Sequence, residues 1–260
     1  MNKNDSTLQA FHRLLQIMEQ LREKCPWDRK QTFESLRPLT IEETYELSDA
    51  ILNKDDVEVS KELGDLLLHI VFYSIIGSER KTFSMEEVIV KLCNKLVYRH
   101  PHVFGTTEVH DSEEVVENWE QLKMTEKDGN KSVLSGVPYR LPALIKAYRI
   151  QDKVRAVGFD WEERQLVWDK VKEELAEVEE EMQRGDTTAM EDEFGDLLFS
   201  LVNAARLFGI NPETALEHTN RKFIKRFNYL EQETIKKGRS LKEMTLQEMD
   251  VIWEEAKEYE

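Results

Sequence analysis

At 260 residues the chain is long enough for one large domain or two of ordinary size. Its 40% hydrophobic and 34% charged residues suit a soluble helical protein with polar outer faces, and 10 Gly and 6 Pro leave room for few turns, so the helices should be long. The formal net charge of −16 argues against neutralising DNA or RNA phosphates over a broad surface, though not against one small anionic ligand held through metal.

The opening Met1-Asn2-Lys3-Asn4-Asp5 is polar and leads into a helix, not a signal peptide. Helical periodicity dominates thereafter, without strand alternation. A first helix is expected over Leu8 to Glu23, broken at Cys25-Pro26-Trp27-Asp28. The next starts near Thr40 and ends around Asn53; Lys54-Asp55-Asp56 is a short polar turn, and a third helix runs from about Val57 to Ile76. Ser84-x-x-Glu87 has the form of a capping box for a fourth helix, which Pro101 must stop. A further helix is expected from about Ser112 to Lys127. The order then repeats: a helix near Glu163 to Arg184, another from Ala189 to Phe208, one opened by Asn211-Pro212, and a last one capped by Thr245-x-x-Glu248.

Residues 128–142 hold two of the ten glycines and two of the six prolines and read as a linker. Short loops between helices imply antiparallel neighbours. The expected fold is therefore all-α, two tandem helical bundles, with a first domain at 1–127 and a second, mainly catalytic one at 143–260. The most apolar run, Leu66 to Ile76, is too short to span a bilayer and contains His69. Cys25 and Cys93 form no metal-binding spacing; they read as reduced thiols of a cytoplasmic protein, one of them buried.

One acidic pattern recurs. Glu43-x-x-Glu46 followed by Glu62-x-x-Asp65 is matched by Glu174-x-x-Glu177 followed by Glu193-x-x-Asp196, every position displaced by 131. Carboxylates three apart share a helix face, so each copy offers two pairs on successive helices that can converge. Two such charges about 5 Å apart repel by roughly 3 kcal/mol at an effective dielectric of about 20. A cluster of four needs a cation or raised pKa values. Oxygen ligands without Cys or His favour Mg²⁺ first and Mn²⁺ second. The plain alternative is a set of solvated helix faces, with Glu43 closing a capping box on Thr40; four positions held in register weigh against it. Gly64 and Gly195, each beside an acid, suit a close approach by a ligand or a neighbouring helix, since a mid-helix glycine costs about 1 kcal/mol relative to alanine.

Di-iron bundles use Glu-x-x-His, whereas the third positions here are acidic, and the counterpart of His69 is Ser200; His69 reads as a pocket or packing residue. Gly129-Asn130-Lys131-Ser132 lacks the adjacent Gly-Lys of a phosphate-cradling loop. Basic and aromatic companions also repeat: Lys95-x-x-x-Arg99 with Lys222-x-x-x-Arg226, and Trp119-x-x-x-Lys123 with Trp253-x-x-x-Lys257. Lys and Arg one turn apart can grip a phosphate chain, and Trp can stack on a base.

These motifs, with Arg99-His100-Pro101-His102-Val103-Phe104 and Val157-Gly158-Phe159-Asp160-Trp161, resemble the tandem-domain form of the MazG-type nucleoside triphosphate pyrophosphohydrolases over nearly the whole chain. The resemblance implies Mg²⁺-dependent hydrolysis of NTPs and dNTPs to the monophosphate and pyrophosphate by a usually dimeric enzyme. It assigns Glu174, Glu177, Glu193 and Asp196, and in the first copy Glu43, Glu46, Glu62 and Asp65, as metal ligands. Lys170, Lys222, Arg226 and Trp253 become nucleotide contacts, and Glu173 and Glu174 candidates for the base. Lys170 lies one turn before Glu174, where the first copy has Leu39, so the second copy is expected to carry most of the turnover. The competing reading is a non-catalytic nucleotide sensor or helical scaffold.

Overall fold

The computed structural model describes residues 3–126, 131–160, 164–236 and 238–259. Trp161, the expected helix start at Glu163, and 127–130 of the expected helix end and linker lie outside the described residues. Among those described there are helices and turns but no strand. The helices are α1 (Lys3–Lys24), α2 (Phe33–Asn53), α3 (Asp56–Glu79), α4 (Met85–Arg99), α5 (Pro101–Phe104), α6 (Ser112–Thr125), α7 (Ala143–Arg155), α8 (Arg164–Arg184), α9 (Thr187–Leu207), α10 (Pro212–Lys236) and α11 (Leu246–Ala256). They group into two compact units, Met1–Glu108 and Val109–Glu260.

In the first unit, α2 begins well before Thr40. Thr32 and Ser35 form a reciprocal capping box, and Pro38 is accommodated inside the helix. A serine at the third helical position, in place of Glu or Gln, hides this box from a sequence reading. Thr40 is thereby a mid-helix residue: its hydroxyl donates to the Leu36 carbonyl and pairs with Tyr73 Oη at 2.7 Å. The turn into α3 places Lys54 in the left-handed region, and Asp55 caps α3 by accepting from the Val57 and Glu58 amides. The core consists of Met18, Leu36, Val71, Phe72 and Ile76, drawn from α1, α2 and α3. Phe72 and Ile76 are thus core residues, and Tyr73 packs against them. The exposed large apolar side chains of α3 are Val57, Leu63, Leu67 and Ile70. The Ser84–Glu87 capping box forms as expected. Neither cysteine is buried: Cys93 is exposed and Cys25 intermediate.

In the second unit α8 and α9 are joined through Gly185, at φ +73°, and Asp186, which accepts from the Thr188 and Ala189 amides. Val167, Val171 and Ala204 form their shared core, with Leu197 and Leu207 packed against it. α7 has no counterpart among the expected elements. It is tied to α9 by Gln151 Nε2, which donates to the Phe199 carbonyl at 2.8 Å. Thr245 and Glu248 cap α11 reciprocally, as expected. No helix among the described residues is long and apolar enough to cross a membrane.

Candidate active site

Each acidic motif lies on a pair of helices joined by a tight turn, α2–α3 in the first unit and α8–α9 in the second. A two-residue turn makes such neighbours antiparallel, so the face bearing one acidic pair meets the face bearing the other. Carboxylate oxygens of Glu43, Glu62 and Asp65 all lie within 4.8 Å of one another, and so do those of Glu174, Glu177 and Glu193. Three of the four acids converge in each copy, but not the same three. Glu46 is outside the first triad and Asp196 outside the second, although Asp196 is exposed one turn beyond Glu193 on α9.

The buried member also differs. In the first copy it is Glu62, 1% exposed, on the second helix of the pair; in the second copy it is Glu174, 5% exposed, on the first. A lysine precedes the buried carboxylate in each copy. Lys61 Nζ contacts Glu62 Oε1 at 2.8 Å and Glu58 Oε1 at 2.5 Å. Lys170 Nζ contacts Glu174 Oε1 at 2.6 Å and Glu173 Oε1 at 2.8 Å. Both ammonium groups are held above the usual lysine range, by Glu58 and Glu62 in one case and by Glu173 and Glu174 in the other. Lys61 was not among the residues expected at a site; its position 131 residues on is Asp192, so the repeat gave no signal for it.

Crowding shows in the remaining acids. Partial burial, reinforced by Asp65, Glu46 and Glu62, raises the Glu43 carboxyl above its ordinary range. Glu46 is raised by desolvation and by Glu62. Glu177 is raised by desolvation and then by Glu174 and Glu193. Glu62 is held low by Lys61, yet its Oε2 is buried without a hydrogen-bond partner among the described residues. A buried carboxylate oxygen in a triad with raised neighbours is a donor set short of positive charge. Such a set suits a hard divalent cation.

His69 is buried one turn beyond Asp65, and burial lowers its pKa against the pull of that carboxylate. Its Nδ1 is buried without a hydrogen-bond partner among the described residues. Gly64 and Gly195 are both exposed, and a Cβ built on either would meet nothing within 4 Å. Helix packing within a unit therefore does not explain them. A glycine at such a position costs the helix about 1 kcal/mol relative to alanine.

Lys170 is at the second triad. Arg226 and Trp253 meet on α10 and α11: the Arg226 guanidinium carbon is 5.7 Å from the Trp253 ring centroid, and Phe223 packs against the same indole at 5.0 Å. Lys222 is exposed one turn earlier on α10. Of the first-copy companions, Lys95 and Arg99 are on α4 of the first unit, whereas Trp119 and Lys123 are on α6 of the second.

Similarity to known proteins runs along these elements. The model of the MazG nucleotide pyrophosphohydrolase domain matches residues 31–104 and 163–230, more than half of the chain and both acidic copies. The chain is 45% identical over 250 residues to the nucleoside triphosphate pyrophosphohydrolase/pyrophosphatase MazG of Thermotoga maritima, covering 95% of each chain. It is 41% identical over 260 residues to the nucleoside triphosphate pyrophosphohydrolase of Escherichia coli K12, covering 97% of this chain and 99% of the other. It is 35% identical over 144 residues to the nucleoside triphosphate pyrophosphohydrolase of Mycobacterium tuberculosis, covering 55% of this chain and 44% of the other.

Proposed function

The chain belongs to the MazG nucleotide pyrophosphohydrolase family, and on that footing we propose that it hydrolyses nucleoside triphosphates, dNTPs included, to the monophosphate and pyrophosphate. The observation that carries this reading is the convergence of Glu174, Glu177 and Glu193 beneath a lysine, at the positions where the family motif falls. Family and acidic triads together make it a metal-dependent hydrolase, and the all-oxygen donor set favours Mg²⁺, with Mn²⁺ second.

Glu174, Glu177, Glu193 and Asp196 would hold the ion, which would supply Lewis-acid polarisation and a water of lowered pKa. The chain's own groups do the rest. Lys170 exchanges its contacts with Glu173 and Glu174 for a phosphate oxygen of the substrate. Lys222 and Arg226 neutralise charge on the departing pyrophosphate, and Trp253, backed by Phe223, offers a flat face to the nucleotide. The water oxygen bonds to the α-phosphorus, the bond to the bridging oxygen of the β-phosphate breaks, and the water proton passes to Glu173 or Glu174. The functional division follows residues 1–127, 128–142 and 143–260, with most of the turnover in the last segment.

The first copy has a different character. Lys61 occupies its buried carboxylate from the residue next door, and no lysine precedes Glu43 by one turn. It binds metal or nucleotide less productively and serves mainly in assembly. The enzyme works as a cytoplasmic homodimer: exposed Phe194, Leu198 and Leu175 beside the acids of α8 and α9, with nothing over Gly195, leave a face for a second copy.

The experiment is hydrolysis of an NTP with Mg²⁺ in ¹⁸O-water. Label in the monophosphate and none in pyrophosphate is expected. Release of orthophosphate and NDP, or label in pyrophosphate, would refute attack at the α-phosphorus.

A further inference from the structure

The second unit contains a cavity of about 600 Å³ that none of the acidic triad lines. Ile150, Val154, Phe159 and Phe199 supply apolar walls, from α7, the turn after it and α9. Its size falls within the range of about 300–1,000 Å³ typical of small-molecule sites. The polar groups on its lining are Gln151, Asp160, Asn203 and Arg206.

Two of these are almost wholly removed from water: Gln151 is 4% exposed and Arg206 7%. The bond from Gln151 Nε2 to the Phe199 carbonyl fixes which way the amide points, and its Oε1 is buried with no hydrogen-bond partner among the described residues. Arg206 donates from Nε and Nη2 to Asn203 Oδ1, at 3.2 and 2.8 Å, and from Nη2 to Asp160 Oδ1 at 2.5 Å. Its Nη1 has no bond to a described residue. Buried polar groups are normally satisfied, and an unpaired acceptor on the same lining as a guanidinium with donors to spare is a costly way to line a void.

The first copy shows that the fold does not need this arrangement. The positions 131 residues before Phe199, Asn203 and Arg206 are Leu68, Phe72 and Ile75. There Phe72 is core, 2% exposed, with Leu68 and Ile75 packed against it. Where one copy has a filled apolar core, the other has an amide, a cation and space.

We propose that this cavity binds the lactam edge of a nucleobase. A ring N–H donates to Gln151 Oε1, the adjacent carbonyl accepts from Arg206, and the ring lies against Phe159 and Phe199. Guanine, hypoxanthine and uracil carry that edge; adenine has no carbonyl. The choice of a nucleobase rests on the reading of the chain as a nucleotide hydrolase. The base belongs either to the substrate or to a second nucleotide. Phe199 is six residues past Glu193 on α9, about 9 Å of helical rise, which places the cavity within reach of a nucleotide held at the acids.

The test uses the full chain, with equilibrium binding of guanosine and adenosine in the absence of added metal. Wild type, Gln151→Leu and Val154→Phe are compared, each with its thermal unfolding midpoint. Guanosine is expected to bind more tightly than adenosine, to weaken roughly 3- to 10-fold in Gln151→Leu, and to be lost when Val154→Phe fills the space. A fall in the GTP-to-ATP ratio of kcat/KM in both variants assigns the base to the substrate. An unmoved ratio, with guanosine altering hydrolysis without competing, assigns it to a second nucleotide. Guanosine binding no tighter than adenosine, or undiminished in the two folded variants, would overturn the proposal. Guanosine binding by a wild type that releases no pyrophosphate upholds the cavity and sinks the hydrolytic reading. Pyrophosphate release without guanosine binding does the reverse.

Discussion

Lys170 Nζ lies 2.6 Å from Glu174 Oε1, one helical turn away, on the most buried carboxylate of the second triad. In the first copy the position of Lys170 is Leu39, and the buried carboxylate is instead Glu62, held by Lys61. The lysine of the second copy is 37% exposed in its side chain and spans two acids, so it can move to an incoming phosphate. Exchange of Lys170 for methionine keeps the stem and removes the charge. We expect kcat/KM for an NTP to fall about 100-fold, on the scale of losing one charge-stabilising group at a reacting phosphate. Lys61→Met is expected to change it less than about threefold, within ordinary variation for a residue outside the reacting site. Steady-state kinetics on the two variants measures both, and equal losses would count against the division of labour.

The same division governs removal of the acids. Glu193→Gln with Asp196→Asn should abolish turnover by at least about 1,000-fold, because the ion loses its charge-bearing ligands. Glu62→Gln with Asp65→Asn should leave more than about a tenth of the activity, if the first copy serves assembly rather than chemistry. Circular dichroism must show both proteins folded for the comparison to count. A larger loss from the first pair would transfer the active site to the first unit.

Dimerisation has its own readout. Leu198 is 54% and Phe194 45% exposed on α9, flanking Gly195, around which a Cβ meets nothing. Gly195→Leu introduces bulk where a partner helix is expected to approach, without a clash inside the unit. Light scattering at micromolar concentration should give a dimer for wild type and a monomer for the variant. A wild-type monomer with full activity would end the idea.

One stability effect of pH is set by the cap of α11. Glu248 is lowered to about 2 by Arg239 and by the Thr245 amide, which donate to it at 2.8 Å each. A carboxylate whose folded pKa lies below its unfolded one stabilises the fold above the unfolded value and loses that contribution as pH falls through the folded value. The unfolding midpoint of Glu248→Gln should therefore lie below that of wild type near neutral pH. The gap should narrow between about pH 4.5 and 2, the interval between ordinary and folded pKa values. Thermal melts of the two proteins across that interval test it; a constant gap would show that the ion pair contributes nothing.

The acidic register, the helical class and the tandem repeat were legible from residue types and spacing alone. Residues three apart share a helix face whatever surrounds the helix. The Ser84 and Thr245 capping boxes were legible for the same reason, since their bonds are made within four residues. What local spacing does not encode is how far a helix is rotated toward its neighbour. Helix placement and side-chain rotamers together bring Glu43, Glu62 and Asp65 to one point in one copy and Glu174, Glu177 and Glu193 in the other, although the two motifs are superimposable in sequence. Burial is likewise a property of what lies on top. Glu62 and Glu174, at non-equivalent positions, are the covered carboxylates, and each recruits whichever lysine its surroundings place nearby. The cavity around Gln151 and Arg206 depends on α7 docking against α9, a contact between residues some fifty positions apart. Covalent spacing alone sets which side chains share a face; only the packed helices determine which of them meet, which are dry, and where space is left for a ligand.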